Sequence, residues 1–291
     1  MGAHTIPAPK PASSRKSTLG YQLRFVVAPI VLVLVGLSII LTPVVSTQFH
    51  NWQQAQEAQE YSERIQRQEA EVLNAERSQA HDWNAVPSTS ATIDPWSGQV
   101  DHNTPEYQLY LEQLNILPTM ARVRVPAVGI VLPVYHGTDE RTLAQGVGHL
   151  FRTDLPIGGV GNHAVLTGHT GITTATLFDN LIDVTDGDLI AVDVLGETLT
   201  YQVNDITVVT PDQVDALSAD PDRDLLTLIT CTPYGINSHR LLLTGERVFG
   251  AELPAQNSAI FSSWMLWALG LSLAIILITL LWIVRRKKGP Q

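Results

Sequence analysis

Two long apolar blocks, one near each end of the chain, constrain the fold more than any other feature of the sequence. The first reads FVVAPIVLVLVGLSIILTPVV at residues 25–45 and the second reads WMLWALGLSLAIILITLLWIV at residues 264–284. Neither block contains a charged residue, and about twenty apolar residues are what a helix needs to cross the core of a bilayer. We therefore predict membrane-spanning helices at residues 25–46 and 264–284.

Basic residues at the outer ends of both blocks predict how the chain is oriented. Four Lys or Arg residues precede the first block, and the cluster RRKK follows the second. By the positive-inside rule, the tails at 1–24 and 285–291 lie in the cytoplasm, and the segment between the two blocks lies outside the cell membrane. The alternative for the first block is a cleaved signal peptide, for which residues 44–46, Val-Val-Ser, offer a weak cleavage site.

The charge of the chain excludes some classes of partner. The formal net charge is −10, and much of the Lys and Arg lies in the two tails, so the outer segment is more acidic than the whole. An acidic domain does not suit nucleic-acid binding, nor adhesion to an anionic lipid surface. The composition instead suits an integral membrane protein whose outer domain is soluble and held near the membrane.

The outer segment begins with a polar helical stretch. Residues 51–80 contain neither Gly nor Pro and are rich in Ala, Glu, Gln and Arg, which are good helix formers. The apolar stripe along them is broken. We therefore predict a helical stalk at residues 47–83, or a helix packed lightly on the domain.

A loop of unusual length follows at residues 84–105. Loops of about twenty residues are uncommon in compact domains and are often linkers or functional lids. This one carries Asp94-Pro95-Trp96, and a large exposed aromatic side chain needs a pocket to occupy. We therefore interpret residues 84–105 as a lid.

Short β-type runs separated by Gly and Pro dominate residues 106–250. Many short strands with little helix are typical of a closed or nearly closed β-barrel, here of roughly 130 residues. Only the stretch at 174–181 has a helical pattern between the runs, and residues 251–263 read as a linker. The predicted strand runs are 121–135, 163–169, 188–195, 197–210, 225–231 and 239–248.

The single cysteine of the chain, Cys231, lies at the end of the run LLTLITC and before the breaker TPYG. A structural cysteine in an oxidising compartment normally has a disulfide partner, although a lone cysteine can simply be a small buried apolar residue. Arg240 opens the next strand run. If the two strands are antiparallel neighbours, the thiol and the guanidinium face the same rim of the barrel, where the cation would stabilise a thiolate or an oxyanion.

A nucleophilic cysteine also needs a histidine partner. His169 is the best candidate because it follows the strand HAVLT through Gly168, at a strand end. His239 is adjacent to Arg240, so on a strand the two side chains point to opposite faces. We expect His239 and the remaining barrel histidines, His136, His149 and His163, to be structural or merely exposed.

Metal sites and cofactors are not expected. The carboxylates of Asp220, Asp222 and Asp224 resemble the start of a calcium loop, but Leu225 stands where such a loop needs glycine, and Cys231 where it needs glutamate. A solvated turn is the better interpretation. A zinc site would need further Cys or His ligands at short spacing from Cys231.

Together, TLITC, an arginine nine residues later, the upstream TGH and the Asp-Pro-Trp loop resemble the class C sortases. These are membrane-anchored pilus-assembly transpeptidases of Gram-positive bacteria, and the resemblance covers residues 90–250. It implies a closed eight-stranded β-barrel in which Cys231 is the nucleophile, His169 the general acid, and Arg240 the group that holds the oxyanion. It also implies a lid in which the ring of Trp96 covers the cysteine and Asp94 approaches the arginine.

The resemblance further implies the reaction and its partners. Members cut an LPXTG-like sorting signal between Thr and Gly, and transfer the acyl group to a lysine amine of another pilin subunit.

A housekeeping sortase that attaches proteins to cell-wall peptidoglycan is the nearest alternative. A papain-type peptidase is disfavoured because the cysteine follows the histidine in sequence. A non-catalytic membrane-tethered scaffold, with Cys231 buried and inert, is the alternative from another class.

Overall fold

The computed structural model of the protein describes residues 27–86, 94–97, 100–213, 217, 219–255 and 261–287. Several predicted segments lie wholly or partly outside this range: the tail at 1–24, the start of the first span (25–26), two parts of the lid (87–93 and 98–99), part of the linker (256–260) and residues 288–291. The chain divides into two compact units, one formed by Met1–Val44 with Ser263–Gln291 and the other by Val45–Ser262.

Two helices are long and apolar enough to cross a membrane. Helix α1 spans Ala28–Ile65, helix α5 spans Ser263–Lys287, and their most apolar parts have mean hydropathies of 2.6 and 2.5. Both apolar segments are therefore consistent with membrane anchoring. Helix α1 extends well beyond the predicted span, because the polar residues that follow it also favour a helix.

Eight strands form a closed barrel in the order β1-β2-β3-β4-β7-β8-β6-β5, which confirms the predicted fold class. Neighbouring strands are antiparallel except for the pairs β2–β3 and β4–β7. β-branched and other apolar side chains fill the interior, where a closed sheet leaves no edge exposed. The strands are Ala121–Val125 (β1), Ile130–His136 (β2), Val147–His149 (β3), His163–Thr167 (β4), Leu189–Val194 (β5), Glu197–Val209 (β6), Leu225–Thr232 (β7) and His239–Val248 (β8).

The structure corrects the predicted elements in two places. The run at 121–135 is two strands, because a 3-10 turn at Pro126–Val128 and the left-handed Gly129 reverse the chain between them. The helix predicted at 174–181 is wrong: the regular element there is a 3-10 helix at Asp179–Asp183. The apolar side chains that suggested a helix, such as Phe178, are instead inserted into the core from turns.

The polar stretch predicted as a stalk packs against the barrel. Helix α1 ends at Ile65, and helix α2 (Ala70–Asn84) begins after a break. Tyr61 is buried and its hydroxyl donates a hydrogen bond of 2.8 Å to the carbonyl of Met120, while Ile65 packs on Leu117. The apolar stripe is broken in the sequence because it belongs to two helices. Of the two predicted alternatives, these contacts favour a helix packed on the domain over a projecting stalk.

Two short helices flank the rim of the barrel at which β7 ends and β8 begins. Helix α3 spans Pro105–Leu111, and its N-cap Thr104 accepts a hydrogen bond from the amide of Tyr107. Helix α4 spans Glu140–Gln145, and its N-cap Asp139 accepts from the amide of Thr142 at 2.9 Å. The N-cap bond fixes the start of α4 and hence the position of its first residue, Glu140.

Candidate active site

Cys231 and Arg240 lie opposite each other on neighbouring antiparallel strands. In the register of β7 and β8, Cys231 pairs with Arg240 and Thr232 pairs with His239. This confirms the predicted strand pairing across residues 232–239. Both side chains are largely buried, and Cys231 is 7% exposed. The pairing places the guanidinium on the same rim of the barrel as the thiol.

The TGH segment reaches the same rim because β4 runs parallel to β7. The amide of Gly168 donates to the carbonyl of Ile229 at 3.1 Å, and the hydroxyl of Thr230 donates to the carbonyl of Gly168 at 2.7 Å. These two bonds tie the residue before His169 to the residues before Cys231. A Cβ atom at Gly168 would lie 2.6 Å from the ring of Phe178, so the close approach requires glycine.

The loop after His169 is fixed by a buried carboxylate. Asp179 accepts hydrogen bonds from the amide of Gly171 at 2.8 Å and from the hydroxyl of Thr170 at 3.0 Å. The amide of Phe178 donates to the carbonyl of His169 itself. Asp179 belongs to no recognisable sequence motif, because its partners are backbone and hydroxyl groups of a loop without regular periodicity.

Asp94 of the lid binds Arg240 through both carboxylate oxygens. Arg240 Nε donates to Asp94 Oδ1 at 2.7 Å, and Nη2 donates to Oδ2 at 3.1 Å. The remaining Nη1 donates to the carbonyls of Asn237 and His239. The two side chains are only 9% and 11% exposed, so this is a shielded bidentate ion pair.

Trp96 lies between Arg240 and His169. Its ring is 4.5 Å from the Arg240 guanidinium carbon, within cation–π range, and its indole N–H donates to His169 Nδ1 at 3.4 Å. The ring also packs on a small apolar cluster that includes Ile229 and Leu242, which lie on the same two strands as Cys231 and Arg240. The described part of the lid therefore contacts both Arg240, which lies opposite Cys231, and His169.

Glu140 is a neighbour of the site that sequence reasoning missed. Its Oε2 lies 3.5 Å from His169 Nε2, and this ring nitrogen is buried without a hydrogen-bond partner among the described residues. The Glu140 side chain itself is 86% exposed. No local pattern points to it, because it reaches His169 from a helix in a different part of the chain.

The surroundings of Cys231 favour the thiol form at rest. Burial raises the pKa of Cys231 above its usual range, the positive charge of Arg240 lowers it, and the negative charge of Asp94 raises it again. The Asp94 carboxylate thus offsets part of the effect of Arg240. Because the thiolate is the reactive form, the Asp94 charge lowers the reactivity of Cys231 in this arrangement.

We expect the substitution Asp94→Asn to lower the pKa of Cys231. Removing the carboxylate charge leaves Arg240 unopposed, and any loosening of the lid reduces the burial that raises the pKa. The rate of alkylation by iodoacetamide across a pH series should therefore reach its midpoint at a lower pH than in the unsubstituted chain. Asp101→Asn removes a carboxylate elsewhere in the lid and is the control. An unchanged or higher midpoint for Asp94→Asn would contradict this account.

The other barrel histidines have partners that explain them without catalysis. His149 is fully buried, Tyr110 lies 2.9 Å from its Nδ1, and burial lowers the pKa of His149 to about 4. It therefore stays neutral at physiological pH. Hydrogen bonds also join His136 to the carbonyl of Gln113, His163 to Thr227, and His239 to Ser238.

The acidic turn at 220–224 makes structural contacts. Asp224 accepts from the amide of Gly159 at 2.8 Å and from the hydroxyl of Tyr201 at 3.3 Å. Arg223 pairs with Glu246 at 2.7 Å. These contacts hold the turn against neighbouring strands, and no group of three or more potential metal ligands occurs among the described residues.

Comparison with known proteins identifies the barrel. Residues 123–248 match the family model of the sortase domain. Sortase A of Streptococcus agalactiae is 25% identical over 207 residues, which cover 70% of this chain and 76% of that protein. Two solved structures are closer in sequence.

Sortase C-1 of Actinomyces oris is 55% identical, with 61% of this chain and 98% of that chain covered and a TM-score of 0.60. Sortase C of Streptococcus pneumoniae is 34% identical, with 66% and 96% covered and a TM-score of 0.61. These similarities extend over almost the whole length of both solved chains. The chain belongs to the sortase family of transpeptidases, and its structural neighbours include class C sortases.

Proposed function

We propose that the protein is a pilus-polymerising cysteine transpeptidase. It cleaves an LPXTG-like sorting signal between Thr and Gly, holds the acyl group as a thioester on Cys231, and transfers it to a lysine amine of another pilin subunit. The observation that carries the proposal is the lid: Asp94 binds Arg240, and Trp96 donates to His169, over the Cys231–Arg240 pair. Sortase C of Streptococcus pneumoniae, a similar structure, has pilin substrate specificity.

Each site residue has a defined role in this reaction. The Cys231 thiolate attacks the Thr carbonyl carbon, and the negative charge that forms on the carbonyl oxygen is stabilised by the Arg240 guanidinium. The imidazolium of His169 gives its proton to the Gly nitrogen as the C–N bond breaks. The lid must first leave, because Asp94 occupies the Arg240 donors that the oxyanion needs and Trp96 holds His169 through its Nδ1.

The proposed location follows from the two terminal helices. With both spans in the cell membrane and the basic tails in the cytoplasm, the barrel lies on the outer side, where pilin subunits are assembled. A free thiol suits this compartment, because Cys231 has no second cysteine in the chain with which to form a disulfide.

The test incubates the full chain, purified in detergent, with an LPXTG-type peptide. In the Trp96→Ala variant we expect intact mass spectrometry to show the peptide acyl group on Cys231, with release of the Gly-containing fragment. The Cys231→Ala variant should show neither. An acceptor peptide bearing the pilin lysine should then take up the acyl group. Transfer only to a peptidoglycan-type amine would favour a housekeeping sortase, and no adduct at all would favour a non-catalytic scaffold.

A further inference from the structure

A cavity of about 360 Å³ lies between the lid and helix α4, and one of its lining residues, Glu140, is 3.5 Å from His169. The lid contributes Trp96 and His102 to its lining, and the body of the barrel domain contributes Tyr107, Thr138, Asp139 and Glu140. The residues on the body side do not belong to the lid, so their wall stays in place when the lid moves. We call this space the α4 cavity.

We propose that the α4 cavity receives the ammonium group of the incoming acceptor lysine and is held negative for that purpose by Glu140 and Asp139. This inference rests on the proposed function, since it assigns the entry route of the second substrate of that reaction.

Among the described lid residues, Trp96 separates the α4 cavity from the space over the thiol. Trp96 lines the α4 cavity, and its ring lies 4.5 Å from the guanidinium carbon of Arg240. Arg240 in turn lies opposite Cys231 in the strand register. When the Trp96 ring leaves, the α4 cavity therefore becomes continuous with the space over the thiol.

The direction of acceptor entry follows from the chemistry of the thioester. His169 protonates the amine that leaves in the first half-reaction, so by microscopic reversibility the amine that attacks in the second half-reaction must give up its proton on the same side. The α4 cavity lies on that side, because Glu140 in its wall is 3.5 Å from His169 Nε2. An acceptor that enters here reaches the thioester carbonyl past the imidazole.

The charge of the cavity suits a cation. Its described lining contains the carboxylates of Asp139 and Glu140 and no Lys or Arg. One oxygen of Asp139 caps helix α4, which leaves the other oxygen available, and the exposed Glu140 side chain can turn toward a ligand. The ring of Tyr107, on which His102 of the lid stacks at 4.6 Å, offers a cation a favourable face once the lid moves.

Glu140 can act as a proton acceptor for the incoming ammonium group as well as attract it. The acceptor arrives as an ammonium and must lose one proton, to the Glu140 carboxylate or to solvent, before its nitrogen can attack the thioester carbon. The new C–N bond forms as the C–S bond breaks. The second nitrogen proton passes through His169 to the departing Cys231 thiolate. The products are an amide and the free thiol, with one proton released.

The experiment measures aminolysis of a preformed thioester in the full chain in detergent. An Asp94→Ala background opens the lid while keeping Trp96. Against a peptide bearing the acceptor lysine, we expect Glu140→Gln to raise the KM of the transfer step about two- to fivefold, the range of one exposed ion pair. When Asp139→Asn, which keeps the helix cap, is added to Glu140→Gln, the KM of the transfer step should rise about tenfold in total. Glu112→Gln, an exposed charge outside the cavity lining, is the matched control.

Two further measurements decide the outcome. Hydroxylamine is uncharged near neutral pH, so its attack on the same thioester should be unaffected by Glu140→Gln if the carboxylate acts on the ammonium. An unchanged KM for the lysine peptide overturns the inference. An equal loss in the rate of thioester formation overturns it too, because Glu140 would then act through His169. Failure of the parent chain to form any thioester would instead refute the proposed function itself.

Discussion

We expect the replacement of Arg240 by lysine to lower the rate of thioester formation by about 100-fold, the usual effect of losing a preorganised oxyanion donor. The guanidinium is held in one orientation, because Nη1 donates to the carbonyls of Asn237 and His239. Its Nε and Nη2 then point at a position that the Asp94 carboxylate now fills. Lysine keeps the positive charge but has neither the planar fork nor the fixed direction.

The effect of Arg240→Lys has to be separated from lid opening, because the same substitution also breaks the bidentate bond to Asp94. We therefore compare the Asp94→Ala variant with the double variant that carries both Asp94→Ala and Arg240→Lys, using single-turnover acylation by an LPXTG-type peptide followed by mass spectrometry. Arg223→Lys, which alters a two-point contact to Glu246 outside the site, is the control. Equal acylation rates in the single and double variants would show that the Arg240 guanidinium does not stabilise the oxyanion.

We expect opening of the lid to raise the alkylation rate of Cys231 by about 10- to 100-fold. The described lid is held by the bidentate Asp94–Arg240 pair and by the stacking of Trp96 on Arg240. Contacts of these kinds contribute about 1–3 kcal/mol, and each 1.4 kcal/mol changes the population of the open state about tenfold. Trp96→Ala and Asp94→Ala should each produce this increase.

The measurement is the rate of iodoacetamide labelling of Cys231 at fixed pH, followed by intact mass. Trp52→Ala removes an exposed tryptophan from helix α1 and is the control for loss of an aromatic side chain. Labelling in the unsubstituted chain that is already as fast as in both lid variants would show that these contacts do not shield the thiol. Slow labelling in all variants would match an inert, buried cysteine.

The contacts of the lid explain why the enzyme would need opening before it acts. Asp94 fills the two Arg240 donors that an oxyanion requires, and Trp96 donates to the His169 nitrogen that faces the lid. The same lid carboxylate raises the pKa of Cys231. In the proposed reaction, departure of the lid would therefore free the Arg240 donors and remove the Asp94 charge that raises the pKa of Cys231.

The sequence predicted those parts of the site that depend on residues close together along the chain. The nine-residue interval between Cys231 and Arg240 is a hairpin connection, and the strand pairing followed from it. Turn residues and short apolar runs predicted the barrel, because they report local backbone preference. The three-residue strand β3 was missed, since so short a segment shows no periodicity, and the helix at 174–181 was wrong because burial in turns mimics a helical pattern.

Asp94 and Arg240 are 146 residues apart, and only the tertiary structure shows that they form a bidentate pair. The lid motif suggested their approach through a family resemblance, whereas Glu140 beside His169, Asp179 under the TGH loop and the α4 cavity had no sequence signal at all. Hydrophobicity and neighbouring residues were enough to predict the apolar segments, the barrel class and the cysteine hairpin. The fold decided which distant side chains meet, because closure of the barrel sets the positions of strand ends and loops that no local spacing encodes.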